Sequence, residues 1–405
     1  MTDKFRIGLL RETKTPTDRR VALSPGQCVE LMNRYPNVEV VVQPSEIRCF
    51  KDSEYIEAGI PLKEDLNECH LLIGIKEVKA TTLIPQKHYM FFAHVAKKQP
   101  HNLKMLQEIA RKRITLVDFE YITTPVGERL IAFGRWAGIV GAYNALRING
   151  IKTNTYDLRP AHQCHDYEDL LSGLKNVHLQ PVRLLITGGG RVANGALEVF
   201  RAMGINEVTP DEYLSTEFNA PVLCRIDPVH YVKRLDGESF NWEFWVNYPS
   251  QHQSTFLPYA RVTDILVACH YWDYRAPHFF TKADMRSPDF RISTIADISC
   301  DIPGPIPSTL RTSSIAEPFY DYNPALEQEE AAFSSEKNVT VMAIDNLPGE
   351  LPRDASRFFG EILIDKVIPN FFTGDPRGVI MRGTITSQGK LTMLFSYLLD
   401  YLNNR

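Results

Sequence analysis

Residues 182–204 open with the apolar run Val182-Arg-Leu-Leu-Ile186 and turn through Thr187-Gly-Gly-Gly190. They continue as Arg191-Val-Ala-Asn-Gly-Ala-Leu-Glu-Val-Phe-Arg-Ala-Met-Gly204, apolar at helical spacing. A buried strand, a glycine turn and a helix in immediate succession admit few folds, because the helix has to cross back over a parallel sheet. The same order aims the open N–H groups of a helix start at an anion above the turn, and its commonest use is to receive the pyrophosphate of a dinucleotide. Gly188, Gly189, Gly190 and Arg191 are the pyrophosphate candidates. The usual Gly-x-Gly-x-x-Gly spacing is altered: Thr187 precedes the glycines, and Ala193 or Gly195 is left to allow close helix packing. A carboxylate about 20 residues further on is expected to bind the adenosine ribose. Asp211 falls near that distance, and Asp227, after Val222-Leu-Cys-Arg-Ile226, competes with it. Either would repel a 2′-phosphate, which favours NAD over NADP, while Arg191 and Arg225 weaken that preference.

Similar alternation runs through the rest of the chain. Short β-like runs occur at 6–10, 38–42, 71–75, 88–93 and 114–118, with helical candidates at 25–35 and 102–112 between them. Further strands are expected at 265–269 and 293–298, and the aromatic, poorly periodic stretch within 228–262 reads as an insertion. At 405 residues the chain exceeds the roughly 250–300 that one core organises. The expected fold is therefore α/β with two Rossmann-like domains, each built on a parallel sheet, and a cleft between them. Arg135–Ile148 spaces Ala137, Gly138, Gly141, Ala142 and Ala145 three and four apart, so this helix should be buried and closely approached by another element. The helix expected from Asp354, with Phe358, Phe359, Ile362, Leu363 and Val367 on one face, returns the chain to the first domain. The nucleotide domain, 134–346, is then inserted into a first domain made of 1–133 and 347–405.

Bulk properties exclude other classes. A net charge of -4 and a pI near 6.3 give no basic field for nucleic acid or anionic lipid, which points to a small-molecule partner. The amino terminus lacks a signal-peptide core, and no apolar run approaches the roughly 20 residues that span a bilayer, so a cytoplasmic location is expected. Seven dispersed cysteines fit reduced thiols. His162-Gln-Cys164-His165 lacks the spacing of a structural zinc site and reads as a polar loop; no metal is expected. Whether the chain forms a homo-oligomer is not legible.

Lys76 ends Leu71-Leu-Ile-Gly-Ile75, and His94 ends Tyr89-Met-Phe-Phe-Ala93. Both emerge at strand ends of one βα domain, where such sheets bind ligands, and both residue types do acid-base work.

At this point the sequence resembles the alanine dehydrogenase and lysine-forming saccharopine dehydrogenase family, which is related also to the nucleotide-binding domain of transhydrogenase. The resemblance is carried by Glu12-Thr-Lys14 with Arg20-Val-Ala-Leu-Ser-Pro25, Gly74-Ile-Lys-Glu-Val78, Phe92-Ala-His-Val-Ala-Lys97, Val117-Asp-Phe-Glu120, Arg129-Leu-Ile-Ala-Phe-Gly134, Ala296-Asp-Ile-Ser-Cys-Asp301 and Ala343-Ile-Asp-Asn-Leu-Pro348. It implies that Lys76 and His94 are the acid-base pair and that Arg20 and Arg129 hold substrate carboxylates. It further implies that Lys97, Glu120 and Asp345 line the substrate site and that Asp301 faces the nicotinamide. An NAD-dependent amino-acid dehydrogenase follows, with saccharopine favoured over alanine. The sequence departs from the family at Thr187, Ala193 and 228–262. A module that binds nucleotide without turnover is the rival reading, and it would have no need of Arg20, Lys76 and His94 together. On the favoured reading Lys76 has a lowered pKa beside Lys14 and Lys97, moderated by Glu77 or Glu120.

Overall fold

The computed structural model describes residues 4–404. The chain divides into two compact units: one runs up to Phe133 and resumes at Pro352, and the other is Gly134–Leu351. Each is an α/β structure on a largely parallel sheet, in agreement with the expected fold class.

The first unit's sheet has, among the described residues, the strand order Lys390–Leu391, Thr384–Ser387, Thr115–Asp118, His88–Phe92, Leu71–Lys76, Phe5–Leu9, Val38–Val42. The five amino-terminal strands pair in parallel. The two carboxyl-terminal ones add an antiparallel edge. Leu71, Leu72, Ile73 and Ile75 are all fully buried because successive side chains feed two cores. Leu71, Ile73 and Ile75 join the core of the helix Pro25–Arg34, while Leu72 joins that of Leu103–Arg111. Phe359 enters the former core and stacks on Phe133 with ring centres 4.7 Å apart. The regular helix carrying it, Pro352–Ile362, opens into a π-turn over Leu363–Val367, which interrupts the single helix expected there.

The second unit's sheet runs Gln328–Glu330, Tyr320–Asn323, Val339–Met342, Thr294–Asp297, Ile265–Ala268, Arg183–Thr187, Val222–Ile226, Asn206–Glu207. The last six are parallel. From Arg183–Thr187 the chain first builds outward through Asn206–Glu207 and Val222–Ile226, then crosses to Ile265–Ala268 on the other side. The point where the order reverses is where open α/β sheets bind ligands.

Helix Gly134–Thr153 is approached by the helix Arg191–Ala202 through reciprocal glycines. A methyl group on Gly138 would lie 1.9 Å from the Val192 carbonyl oxygen, and one on Gly195 would lie 2.0 Å from that of Arg135. Within 228–262, Val232–Arg234 pairs antiparallel with His252–Ser254. Tyr231, Phe256 and Tyr259 from this stretch enter the unit's core, while Trp242, Val246 and Tyr248 face outward. All seven cysteines are free thiols. Among the described residues no helix is long and apolar enough to cross a membrane.

Candidate functional site

Parallel pairing brings carboxyl ends to one edge of a sheet. Because Leu71–Lys76, His88–Phe92 and Thr115–Asp118 are neighbours, Lys76, His94 and Glu120, each at or just past a strand end, fall in a row along that edge.

The strand under Lys76 ends in an unusual way. Its partner Phe5–Leu9 pairs only as far as Ile73. The buried carboxylate of Glu12 then takes over as acceptor, from the N–H of Ile75 at 2.7 Å and of Lys76 at 3.0 Å. Burial pushes the Glu12 carboxyl up to about 8. Burial also lowers the Lys76 pKa, helped by the charges of Arg20 and Lys14 and opposed by Asp18 and Glu77. Glu77 accepts from Lys14 at 2.5 Å. Lys97, expected among the cations beside Lys76, pairs instead with Glu120 at 3.2 Å.

Arg20 is buried, and Asp18 accepts from its Nε and Nη2 as well as from its backbone N–H. Its guanidinium carbon lies 4.2 Å over the Phe133 ring. Burial raises the Asp18 carboxyl, but the paired guanidinium outweighs it and holds the group at about 2.

His94 sits in the left-handed region at φ 54°, an uncommon conformation for a non-glycine residue. Buried Asp118 accepts its backbone N–H at 3.1 Å and that of Glu120 at 2.9 Å, fixing both residues after their strands. Burial raises the Asp118 carboxyl. The His94 ring stacks on Phe92, and its Nδ1 lies 3.3 Å from Glu120 Oε2. Arg129 also donates to Glu120. Burial raises the Glu120 carboxyl, but His94, Arg129 and Lys97 together bring it down to about 2. An ionised carboxylate only accepts, so Nδ1 of His94 carries a proton toward Glu120, which leaves Nε2 as the other ring nitrogen.

In the second unit Gly188 takes φ 91° directly after the buried Thr187. A methyl group there would lie 3.0 Å from the Cys269 carbonyl oxygen, so the turn lies against the neighbouring strand's end at the switch point. Thr187, in place of a glycine, ties the two strands: its Oγ1 is 2.8 Å from His270 Nδ1 and accepts the Cys269 N–H at 3.2 Å. Arg191 begins the helix beyond Gly190. Asp227, just past Val222–Ile226, lies at the turn, its Oδ1 3.1 Å from where a Gly189 side chain would start, with Arg225 Nη1 3.3 Å from the same point. Asp211 is exposed in the first turn of Pro210–Ser215. Asp301 follows the turn in which buried Asp297 accepts from Ser299, Cys300 and Thr309. Burial and the Asp297 charge push the Asp301 carboxyl up to about 6. Asp345 is exposed beyond Val339–Met342.

Three residues that pack into this candidate site were not singled out from sequence: Glu12, Asp18 and Asp118. Asp18 stands two residues from Arg20, and an acid that close to a candidate arginine is a usable signal. Glu12 and Asp118 lie in the quoted motifs, but their partners are backbone N–H groups, which leave no pattern in side chains.

Residues 8–140 match the family model for the alanine dehydrogenase/PNT N-terminal domain. An alpha-aminoadipic semialdehyde synthase of Arabidopsis thaliana is 29% identical over 440 aligned residues, covering 97% of this chain and 41% of that protein. The NAD(+), L-lysine-forming saccharopine dehydrogenase of Emericella nidulans is 26% identical over 383 residues, covering 90% of this chain and 91% of that one. The chain is thus similar to saccharopine dehydrogenases over most of its length and to the alanine dehydrogenase/PNT N-terminal domain over residues 8–140. A solved L-alanine dehydrogenase shares the fold with a TM-score of 0.68 at 15% identity over 99% of both chains. The chain spans less than half the length of the alpha-aminoadipic semialdehyde synthases it matches. The family-model segment contains Arg20, Lys76, His94, Lys97, Glu120 and Arg129.

Proposed function

We propose that this chain is an NAD-dependent dehydrogenase acting on the amine-bearing carbon of an amino acid, with saccharopine, yielding lysine and 2-oxoglutarate, as its favoured substrate. The observation that carries this reading is the row Lys76, His94 and Glu120 on one sheet edge: a depressed lysine beside a histidine whose tautomer a carboxylate sets. The first unit supplies the acid-base pair and the carboxylate-binding arginines, and the second binds the dinucleotide.

The glycine turn suits a dinucleotide. Side chains at Gly188 or Gly189 would meet the Cys269 carbonyl or Asp227, whereas Gly190 faces open space at the start of a twelve-residue helix. Gly188–Arg191 hold the pyrophosphate, Asp227 accepts from the adenosine ribose, and Asp301 faces the nicotinamide side. When bound, the dinucleotide accepts hydride from the carbon that bears the nitrogen.

That carbon releases hydride only when its nitrogen is neutral. Lys76 Nζ, with its lowered pKa, takes the ammonium proton. The resulting imine is hydrolysed by a water that gives its proton to His94 Nε2, and the same nitrogen returns a proton to the departing amine. Glu120 stabilises the imidazolium that forms between these steps. Arg129 and Arg20 hold substrate carboxylates, Asp18 fixing the plane of the Arg20 fork, and Asp345 completes the lining. Two arginines and a row of charged groups suit a long, multiply charged secondary amine better than alanine.

The test is a panel assay following NADH with saccharopine, L-alanine, and lysine plus 2-oxoglutarate. Turnover of saccharopine, and of lysine with 2-oxoglutarate in reverse, is expected. Faster turnover of alanine would replace the substrate, and nucleotide binding without turnover of any of the three would replace the enzyme with a binding module.

A further inference from the structure

Behind the hairpin that carries Arg129, a cavity of about 310 Å³ opens within the first unit. Leu130, Pro369 and Val379 give it apolar walls, and Asp365, Lys366, Arg377 and Arg382 give it charge. The hairpin closes at a bridge between Thr123 and Arg129, and Leu130 continues it by donating its N–H to the Ile122 carbonyl at 2.9 Å. Successive side chains of an extended run point to opposite sides, so Leu130 turns to the cavity while Arg129 reaches Glu120. No residue of the cavity wall takes part in the chemistry proposed above.

The charges at this cavity do not balance. Its one acid, Asp365, is spent on Arg34 at 2.6 Å. Asp375, in the same turn as Arg377, accepts the Met381 N–H at 2.8 Å and does not line the cavity. Arg382 is anchored by neutral acceptors: Nε and Nη2 donate to the Thr123 carbonyl at 3.2 and 2.6 Å, and Nη1 donates to the Arg377 carbonyl at 2.7 Å. A guanidinium carries five N–H groups, so this one keeps its charge and part of its fork uncommitted. Lys366 and Arg377 are exposed and form no ion pair among the described residues. Three cations against one acid that is already paired leave at least two positive charges unmatched. The helix widens into the π-turn Leu363–Val367 at this wall, and Asn370 steadies it by donating to the Lys366 and Val367 carbonyls at 2.7 and 3.1 Å. In the larger cavity of the second unit, by contrast, Glu327 matches Arg286 and Asp264 matches Arg291.

Unmatched cations over apolar walls suit an organic anion. Inorganic phosphate would leave those walls uncovered, and a monocarboxylate would leave a cation without a partner. We propose that this cavity binds a small organic dicarboxylate. Its carboxylates meet Lys366, Arg377 and the open N–H groups of Arg382, and its carbon chain lies on Leu130, Pro369 and Val379. This is a second anion site, separate from the carboxylate holders Arg20 and Arg129.

The experiment uses the intact chain, with glutarate as probe, pentanoate as the acid of equal length lacking the second carboxylate, and inorganic phosphate. Affinity is read by calorimetry, and location by hydrogen exchange of the Leu130 and Met381 amides. Saturable glutarate binding that slows exchange at both amides is expected, with pentanoate and phosphate weaker by roughly 5-fold or more. Lys366→Gln and Arg377→Gln should each weaken glutarate roughly 3- to 10-fold, the effect of one partly exposed ion pair, and together by about 10-fold or more. Both side chains are exposed, so neither replacement threatens the fold. Arg129→Gln, at the candidate active site, should leave the binding and the slowed exchange in place. No saturable binding, equal affinity for pentanoate or phosphate, or unchanged affinity in the double variant would each overturn the proposal. So would loss of the slowed exchange in Arg129→Gln.

Discussion

Gly138→Ala tests whether the two glycine helices of the second unit are in direct backbone contact. In an isolated helix the change would stabilise by about 1 kcal/mol, because alanine loses less backbone entropy than glycine. Here the added methyl would lie 1.9 Å from the Val192 carbonyl oxygen and 2.8 Å from the Ala196 nitrogen. Both are backbone atoms of Arg191–Ala202, so no rotamer change relieves them and the helix has to move by more than an ångström. Overpacking of this kind costs typically 1–3 kcal/mol and sometimes more. Net destabilisation of about 1 kcal/mol, and at most about 2 within that range, follows once the propensity gain of about 1 kcal/mol is subtracted. Gly173→Ala is the matched control: its helix Tyr167–Leu174 leaves only Leu158 Cδ2, at 4.0 Å, near the new methyl. It should stabilise by about 0.5–1 kcal/mol. A chain of two units need not unfold in one step, so the assay is native-state hydrogen exchange of the amides in Arg183–Thr187 under urea. If Gly138→Ala protects those amides as well as Gly173→Ala does, the helices are not in contact at Gly138 and the argument fails.

Replacing Lys76 with Met or His94 with Gln should slow turnover of the best substrate roughly 10²- to 10⁴-fold with dinucleotide affinity nearly unchanged, as steady-state kinetics and a dinucleotide titration would measure. Full activity in either variant removes that residue from the mechanism. For Glu12, the folded chain keeps a proton between the ordinary carboxyl value of 4.5 and about 8 that the unfolded chain has released. Its contribution to stability is therefore complete below 4.5 and is lost as pH rises through 8, at a slope of up to about 1.4 kcal/mol per pH unit. Glu12→Gln should flatten that slope in urea unfolding at the two ends of the window, and an unaltered slope would show that the proton sits elsewhere. Asp227→Ala should weaken NAD and narrow its advantage over NADP, with Arg225 left to meet a 2′-phosphate. Tighter binding of NADP than of NAD by the unaltered chain would overturn the ribose assignment.

The parallel strands were legible because their burial is two-sided: a run such as Leu71-Leu-Ile-Gly-Ile75 has no polar face to blur it. The close approach of Gly138 was legible for a related reason, since glycines at helical spacing weaken a helix unless a neighbour needs the room. The antiparallel edge at Tyr320–Asn323 and Gln328–Glu330 was not. Gln328 and Glu329 are exposed, and Asp321, though buried, is satisfied by Thr340 and Ser334. Polar partners distant in sequence make such a segment a strand, and its own pattern does not.

The same distinction separates the two halves of the candidate site. Glu120 rests on the family resemblance alone, whereas Lys76 and His94 could be proposed from their positions because a parallel sheet converts strand ends into neighbours, so that order along the chain becomes order along an edge. Glu12 and Asp118 could not, because they act on the backbone of those same strand ends: one accepts the N–H of Lys76 and the other that of His94. Where a carboxylate replaces a strand as hydrogen-bond partner, the ladder can stop and the next residue can leave the sheet without stranding a buried N–H. That is how Lys76 and His94 come to project from strand ends whose last amides are still satisfied. A buried carboxylate on a terminal strand amide is therefore a mark of a site that sequence periodicity does not carry, and in this chain it occurs beneath both members of the proposed acid-base pair.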